Sequence, residues 1–152
     1  PTPSGKGYWV YASDGGVFAF GDAAFEGSTG GMRLNRPVVG MAATASGRGY
    51  WLVASDGGVF AFGDAAFAGS TGDMRLNRPV VAMAPTASSA GYWMVASDGG
   101  VFAFGDAAFA GSLGGKGTDT IVGMTPTVTH AGYWLTNETG TLYAFGDAPP
   151  IA

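Results

Sequence analysis

The chain has no cysteine, one histidine and few charged residues, 12% of 152. Without cysteine there is neither a disulfide framework nor a thiolate metal site, which is compatible with secretion and with the cytosol alike. No apolar run approaches the length of a membrane span, so no membrane span is expected. Basic residues are scarce: the formal net charge is −4 and the sequence pI about 4.6. No basic stripe exists to follow a phosphate backbone, which argues against nucleic acid as a partner. No signal peptide is visible, although a mature or excised chain would not show one, and Pro1 in place of Met is what a trimmed or excised piece would show.

What the chain does have is glycine, 28 residues of it, and a hydrophobic fraction of 47% with 20 aromatic rings from Trp, Tyr and Phe. Aromatic and β-branched residues accompany the glycines, so these mark repeated turns and not disorder. By length this is one domain, 1–152.

One sentence of sequence is written four times. Gly-Tyr-Trp begins at Gly7, Gly49, Gly91 and Gly132, in steps of 42, 42 and 41 residues, the short step reflecting one residue lost between Ser112 and Val122. The repeats run 7–48, 49–90 and 91–131, with a partial copy at 132–152. A fixed period of this size marks a repeat architecture built from one supersecondary unit.

Each period divides into four short apolar runs separated by Gly, Asp, Ser and Pro. In the second copy they are Pro37–Thr44, Gly49–Ser55, Gly58–Gly63 and Ala66–Gly69, and no helical spacing competes with them. Ser55-Asp56-Gly57-Gly58 is a tight hairpin, because Asp-Gly-Gly supplies the positive φ values such a turn needs. In the second run Tyr50, Leu52 and Ala54 face one way and Trp51 and Val53 the other. In the third, Phe60 and Phe62 oppose Val59 and Ala61. Both faces are apolar, which a sheet with one wet face would not show. Sheets stacked face to face around an axis bury both sides, as propeller blades do. Small residues at the equivalent positions Gly40, Ala82 and Gly123 suit innermost strands crowding that axis.

The expected fold is therefore all-β, a β-propeller-type repeat of four-stranded antiparallel blades with about 3.5–4 blades per chain. A β-trefoil, which also uses units of roughly forty residues, is the alternative. The run order predicts fourteen strands, distributed three, four, four and three along the chain. Exposed edges at both ends favour ring closure or a homodimer that completes a ring.

Residues 1–6 resemble a linker followed by the turn that precedes the first hairpin, and Thr44–Arg48, Thr86–Ala90 and Thr127–Ala131 are the matching variable, polar loops. Thr29–Pro37 and Thr71–Pro79 are two copies of one long loop, from which Leu113–Thr120 departs by losing both arginines and the proline. Pro149-Pro150 stops further strand pairing.

Gly-Tyr-Trp-Leu-Val-Ala-Ser-Asp-Gly-Gly-Val-Phe-Ala-Phe-Gly-Asp-Ala, with the later Leu-Asn-Arg-Pro-Val-Val-Gly-Met-Ala-Ala-Thr, resembles tandem repeats of secreted and surface-associated actinobacterial proteins. The likeness spans almost the whole chain. It implies an extracytoplasmic, secreted or cell-surface accessory module of propeller-like build, and it brings no catalytic motif. Blade length and aromatic content are also similar, in a general way, to lectin propellers of the tachylectin type and to four-bladed hemopexin-like domains.

The residues themselves offer little catalytic chemistry. His130 lies in a variable loop, without a counterpart in the other copies and without a nucleophile elbow. Neither a catalytic residue nor a cofactor is expected. Asp14, Asp56 and Asp98 suit hydrogen bonds to their own turns, and one Asp before two glycines is too thin for calcium. Asp22, Asp64, Asp106 and Asp147 read as turn caps, so no metal site is expected.

Trp9, Trp51, Trp93 and Trp134, each beside a tyrosine, admit two roles: packing between units, or stacking on the apolar face of a sugar. In an up-and-down blade the Ser-Asp-Gly-Gly turn and the long loop emerge on one side. Asp14, Arg33 and Asn35 then share a rim, as do Asp56, Arg75 and Asn77, with Asp98 following. Such a rim suits hydrogen bonding to a glycan or a peptide. The expected function is a non-enzymatic binding module for a glycan or cell-envelope component, through repeated shallow sites. The alternative is a structural, protein–protein interaction scaffold that self-associates through its terminal strands.

Overall fold

A computed structural model describes residues 1–72, 74–114 and 120–150. Eleven strands are present among them: β1 (Gly7–Tyr11), β2 (Val17–Gly21), β3 (Val38–Ala43), β4 (Gly49–Ala54), β5 (Val59–Gly63), β6 (Val80–Pro85), β7 (Gly91–Ala96), β8 (Val101–Gly105), β9 (Ile121–Pro126), β10 (Gly132–Asn137) and β11 (Leu142–Gly146). They form four separate antiparallel sheets, ordered β1-β2, β3-β4-β5, β6-β7-β8 and β9-β10-β11. The fold is all-β, and the described residues contain no helix. None of the sheets closes into a barrel, so the trefoil, which shares one barrel among its units, is not the arrangement seen.

Each unit repeats one register. Leu52 faces Phe60 and Tyr50 faces Phe62, as Met94 faces Phe102 and Tyr92 faces Phe104. The first strand of each three-stranded sheet carries a register shift near its start, between Val38 and Gly40, between Val80 and Ala82, and opposite Thr136/Asn137 in the last unit. The hairpin turns take the conformation that Asp-Gly-Gly dictates. Gly57 sits at φ +82°, and a Cβ there would lie 1.7 Å from the Thr71 hydroxyl oxygen, so no other residue fits.

The predicted fourth strand does not form. Ala66–Gly69 and its equivalents lie outside any ladder, and the sheets have two or three strands, so the count of fourteen is corrected to eleven among the described residues. The backbone of this segment is held by side chains instead. The Trp51 indole donates from Nε1 to the Ala66 carbonyl at 2.9 Å. The Tyr92 hydroxyl of the next unit accepts from the Ala68 N–H at 3.1 Å and donates to the Gly69 carbonyl at 2.5 Å. Three of its backbone polar groups thus find partners in side chains and not in a neighbouring strand.

Within residues 1–6 the expected turn forms, and it reaches back to Thr2 in place of a linker. Thr2 is buried and its N–H donates to the Gly7 carbonyl at 2.8 Å, as the Thr44 N–H does to Gly49. They form the same loop that precedes every other unit.

The core lies between the units. Trp9, Val38, Tyr50 and Leu52 form one cluster; Trp51, Val80, Tyr92 and Met94 the next; Trp93, Ile121, Tyr133 and Leu135 the third. At each boundary the Trp of one unit meets the Tyr of the following one, with ring centroids 5.7, 5.5 and 5.7 Å apart and planes tilted by about 60°. Every residue of β4 and β7 is buried, as expected for sheets covered on both faces. The first strands β3, β6 and β9 are neighbours in space. A Cβ on Gly40 would reach 2.9 Å from the Val53 side chain and 3.8 Å from the Ala82 backbone, which accounts for small residues at that position. Among the described residues no helix is long and apolar enough to cross a membrane.

Candidate functional site

Three groups of side chains recur from unit to unit. The first is the rim of the Ser-Asp-Gly-Gly turns. Asp14, Asp56 and Asp98 each accept through Oδ1 from the N–H two residues on, Gly16, Gly58 and Gly100, at 2.8–2.9 Å. Their backbone carbonyls also accept hydrogen bonds: the hydroxyls of buried Thr29 and Thr71 donate to Asp14 and Asp56 at 3.1 and 3.0 Å. One carboxylate oxygen thus builds the turn while the group stays at the surface.

Beside each turn is a shallow open recess. One of about 400 Å³ brings Asp56 together with Arg75, Asn77, Arg78 and, from the preceding loop, Arg36. A second of about 370 Å³ places Asp98 with Arg75, Asn77 and Phe102. A third of about 260 Å³ joins Asp14 to Asn35, Arg36 and Met32. The long loops of the first two units and the turns on either side of each therefore converge. Arg33 is exposed but lines none of these recesses, whereas Arg36 lines two. The loop arginine facing Asp14 is thus the one before Pro37. The Leu-Asn-Arg-Pro words of copies one and two carried the signal for Arg36 and Arg78. Asp73 and residues 115–119 of the divergent loop lie outside the described residues.

The second group is the tryptophans, and of the two roles the sequence admits, sugar stacking is overturned for Trp51 and Trp93. Trp51 and Trp93 are 0% and 1% exposed, with their faces covered by Tyr92 and Tyr133. Neither offers a face to a ligand. Trp9 and Trp134 are half-buried, and their Nε1 groups donate to the Ala24 and Pro149 carbonyls at 2.8 and 2.9 Å. Trp9 borders a recess of about 260 Å³ with Tyr11 and Met41, beside β1, which pairs with β2 alone.

The third group is a brace on the opposite loops. Asp64 accepts from the hydroxyls of Thr44, at 2.8 Å, and Ser46; Asp22, Asp106 and Asp147 accept likewise from Thr2 and Ser4, Thr86 and Ser88, and Thr127 and Thr129. The hydroxyl donors hold all four carboxyls below the usual carboxylate range. Each brace ties the loop before a unit's first Gly to the end of its hairpin.

His130 takes φ +58°, the position of Gly5, Gly47 and Ser89 in the other loops. Its Nδ1 lies 3.1 Å from the Pro85 carbonyl, and its ring stacks over Trp93 at 6.5 Å. It is a contact between units. Among the described residues no three His, Asp or Glu side chains are grouped to hold a metal ion. Comparison with protein-family models and with curated proteins gives no match for this chain.

Proposed function

We propose that this is a non-enzymatic binding module of β-propeller type, secreted or displayed at the cell surface. In this reading it holds a glycan or another polymeric component of the cell envelope along the rim of the Ser-Asp-Gly-Gly turns. The observation that carries the reading is the recurrence of one polar recess, with Asp, Asn and Arg at its edge, along three consecutive turns. Carboxylate, amide and guanidinium groups suit sugar hydroxyls and acidic substituents, because together they supply donors and acceptors in one place. The recesses are open and shallow, which suits a chain lying across them more than a small molecule enclosed in one. Several weak contacts on a rigid frame then gain from effective concentration. The propeller reading is supported by the stacked sheets and by the small residue where β3 meets β6. The secreted setting rests only on the resemblance of the repeat sequence to actinobacterial tandem repeats.

Arg75 and Asn77 are the residues to change, since both are exposed while Asp56 also builds its turn. Soluble cell-wall polysaccharides and their fragments, screened by calorimetry, should include a binder whose affinity falls at least about tenfold in the Arg75→Ala, Asn77→Ala double variant. Circular dichroism should show an intact fold. No binder, or equal binding by the variant, would contradict the reading.

A second reading, a scaffold that self-associates, is favoured by one observation: Tyr8, Val10, Phe18 and Phe20 of the first sheet are 45–55% exposed, an apolar face of the kind that marks an interaction surface.

A further inference from the structure

The two end sheets carry opposite halves of a joint that the molecule makes three times internally. At each internal joint a unit presents its Trp face and the next unit presents its Tyr–Phe face. Tyr50, Tyr92 and Tyr133 are completely buried there. Their hydroxyls bridge the N–H and C=O groups of the preceding unit's pinned segment, at Glu26/Gly27, Ala68/Gly69 and Ala110/Gly111.

The first sheet has the same face without its cover. Tyr8 is 53% and Phe18 55% exposed. The ring geometry records the difference as well. Tyr8 and Phe20 lie stacked at 27°, whereas the covered Tyr–Phe pairs are tilted by 40–46°. The last sheet has the complementary face, also bare. Trp134 is half-buried where Trp51 and Trp93 are sealed, and Val122 on β9 is 51% exposed. A Cβ on Gly123 would meet nothing within 4 Å, whereas one on Gly40 would meet the next unit's backbone.

We infer that the chain associates head to tail with a second copy of itself, the Tyr8–Phe18–Phe20 face of one copy seating on the Trp134–Val122 face of the other. The occupant follows from the internal joints, since a Trp face covers the Tyr–Phe face of units two to four, a Tyr–Phe face covers the Trp face of units one to three, and the two ends present one of each. Such a contact is heterologous. It closes into a ring if the rotation permits and otherwise extends. This inference rests on the scaffold reading and supplies its contact surfaces; it is independent of the rim.

Two exposed positions permit a test that spares the core: Phe18→Lys blocks the head and Val122→Lys the tail. Light scattering coupled to gel filtration should show the wild-type chain associating with rising concentration. Each variant alone should remain monomeric to at least about tenfold higher concentration. An equimolar mixture should form a one-to-one dimer, because the head-blocked chain keeps its tail and the tail-blocked chain keeps its head. A wild-type monomer at all concentrations would overturn the inference. So would association of the tail-blocked chain with itself, which means head-to-head pairing. Association unchanged in both variants would keep self-association and remove these faces from it.

Discussion

At the scale of the residue, the turn glycines and the loop carboxyls carry the sharpest consequences. Gly57 and Gly140 hold equivalent turn positions at φ +82° and +89°, but only the first has a neighbour, the Thr71 hydroxyl, where a Cβ would go. Gly140→Ala should cost only the backbone strain, about 1–2 kcal/mol. Gly57→Ala adds a clash with a buried side chain and should cost about 3 kcal/mol or more. Denaturant titration of the two variants measures the difference, and equal losses would show that the turn relaxes around the methyl group.

The brace carboxyls set the acid behaviour. Their hydroxyl donors lower the folded-state values of Asp22, Asp64, Asp106 and Asp147. The stability they contribute is therefore full above the ordinary Asp value of about 3.9 and is lost as pH falls through the lower folded values. Melting temperatures between neutral pH and pH 2 should drop in that acid window. The drop should be smaller in the Thr44→Val, Ser46→Ala variant, which has less to lose. An unchanged acid limb would mean that the Asp64 brace does not persist in solution.

At the scale of the element, the pinned segment that replaces a fourth strand is the feature to test. Tyr50→Phe removes the hydroxyl that bridges the Glu26 N–H and the Gly27 carbonyl, and leaving such groups unpaired costs about 1–3 kcal/mol. Tyr8→Phe, at the same place in the first unit but exposed, should change stability by less than about 0.5 kcal/mol. Chemical denaturation of both variants checks the contrast, and similar losses would contradict the bridging role.

This segment also shows where the sequence stopped being legible. Strands β3 to β5 were readable from alternation and from the Asp-Gly-Gly turn, because those signals are local. Ala66–Gly69 reads as a short apolar run, yet its partners are an indole and a phenol from distant positions in the chain. The clue present was the Tyr-Trp pair itself, two buried rings whose polar ends need partners. In the candidate site, the convergence of Asp56, Arg75 and Asn77 followed from strand order, because turn and loop leave the same side of a sheet. Arg36 entering the Asp56 recess did not, because it crosses from the preceding loop. The choice between the two roles of the tryptophans depended on which faces meet, and burial decides it for Trp51 and Trp93.

At the scale of the whole molecule, four small sheets hold together through three near-identical seams, and no sheet carries a core of its own. That organisation leaves the rim free, since the seams bury the Trp and Tyr rings while the recesses are lined mainly by the turns and long loops. The recesses follow one another along the turns, linked by Arg36 and then by Arg75 and Asn77, which ties the proposed function to ligand length. The most direct measurement is calorimetric affinity for one cell-envelope glycan as the polymer and as its short fragment, expressed per repeat unit. The proposed function predicts at least about tenfold tighter binding of the polymer, with the gain removed when Arg36, Arg75 and Arg78 are all changed to alanine. Equal affinity for fragment and polymer, or a gain that survives the triple change, would contradict it.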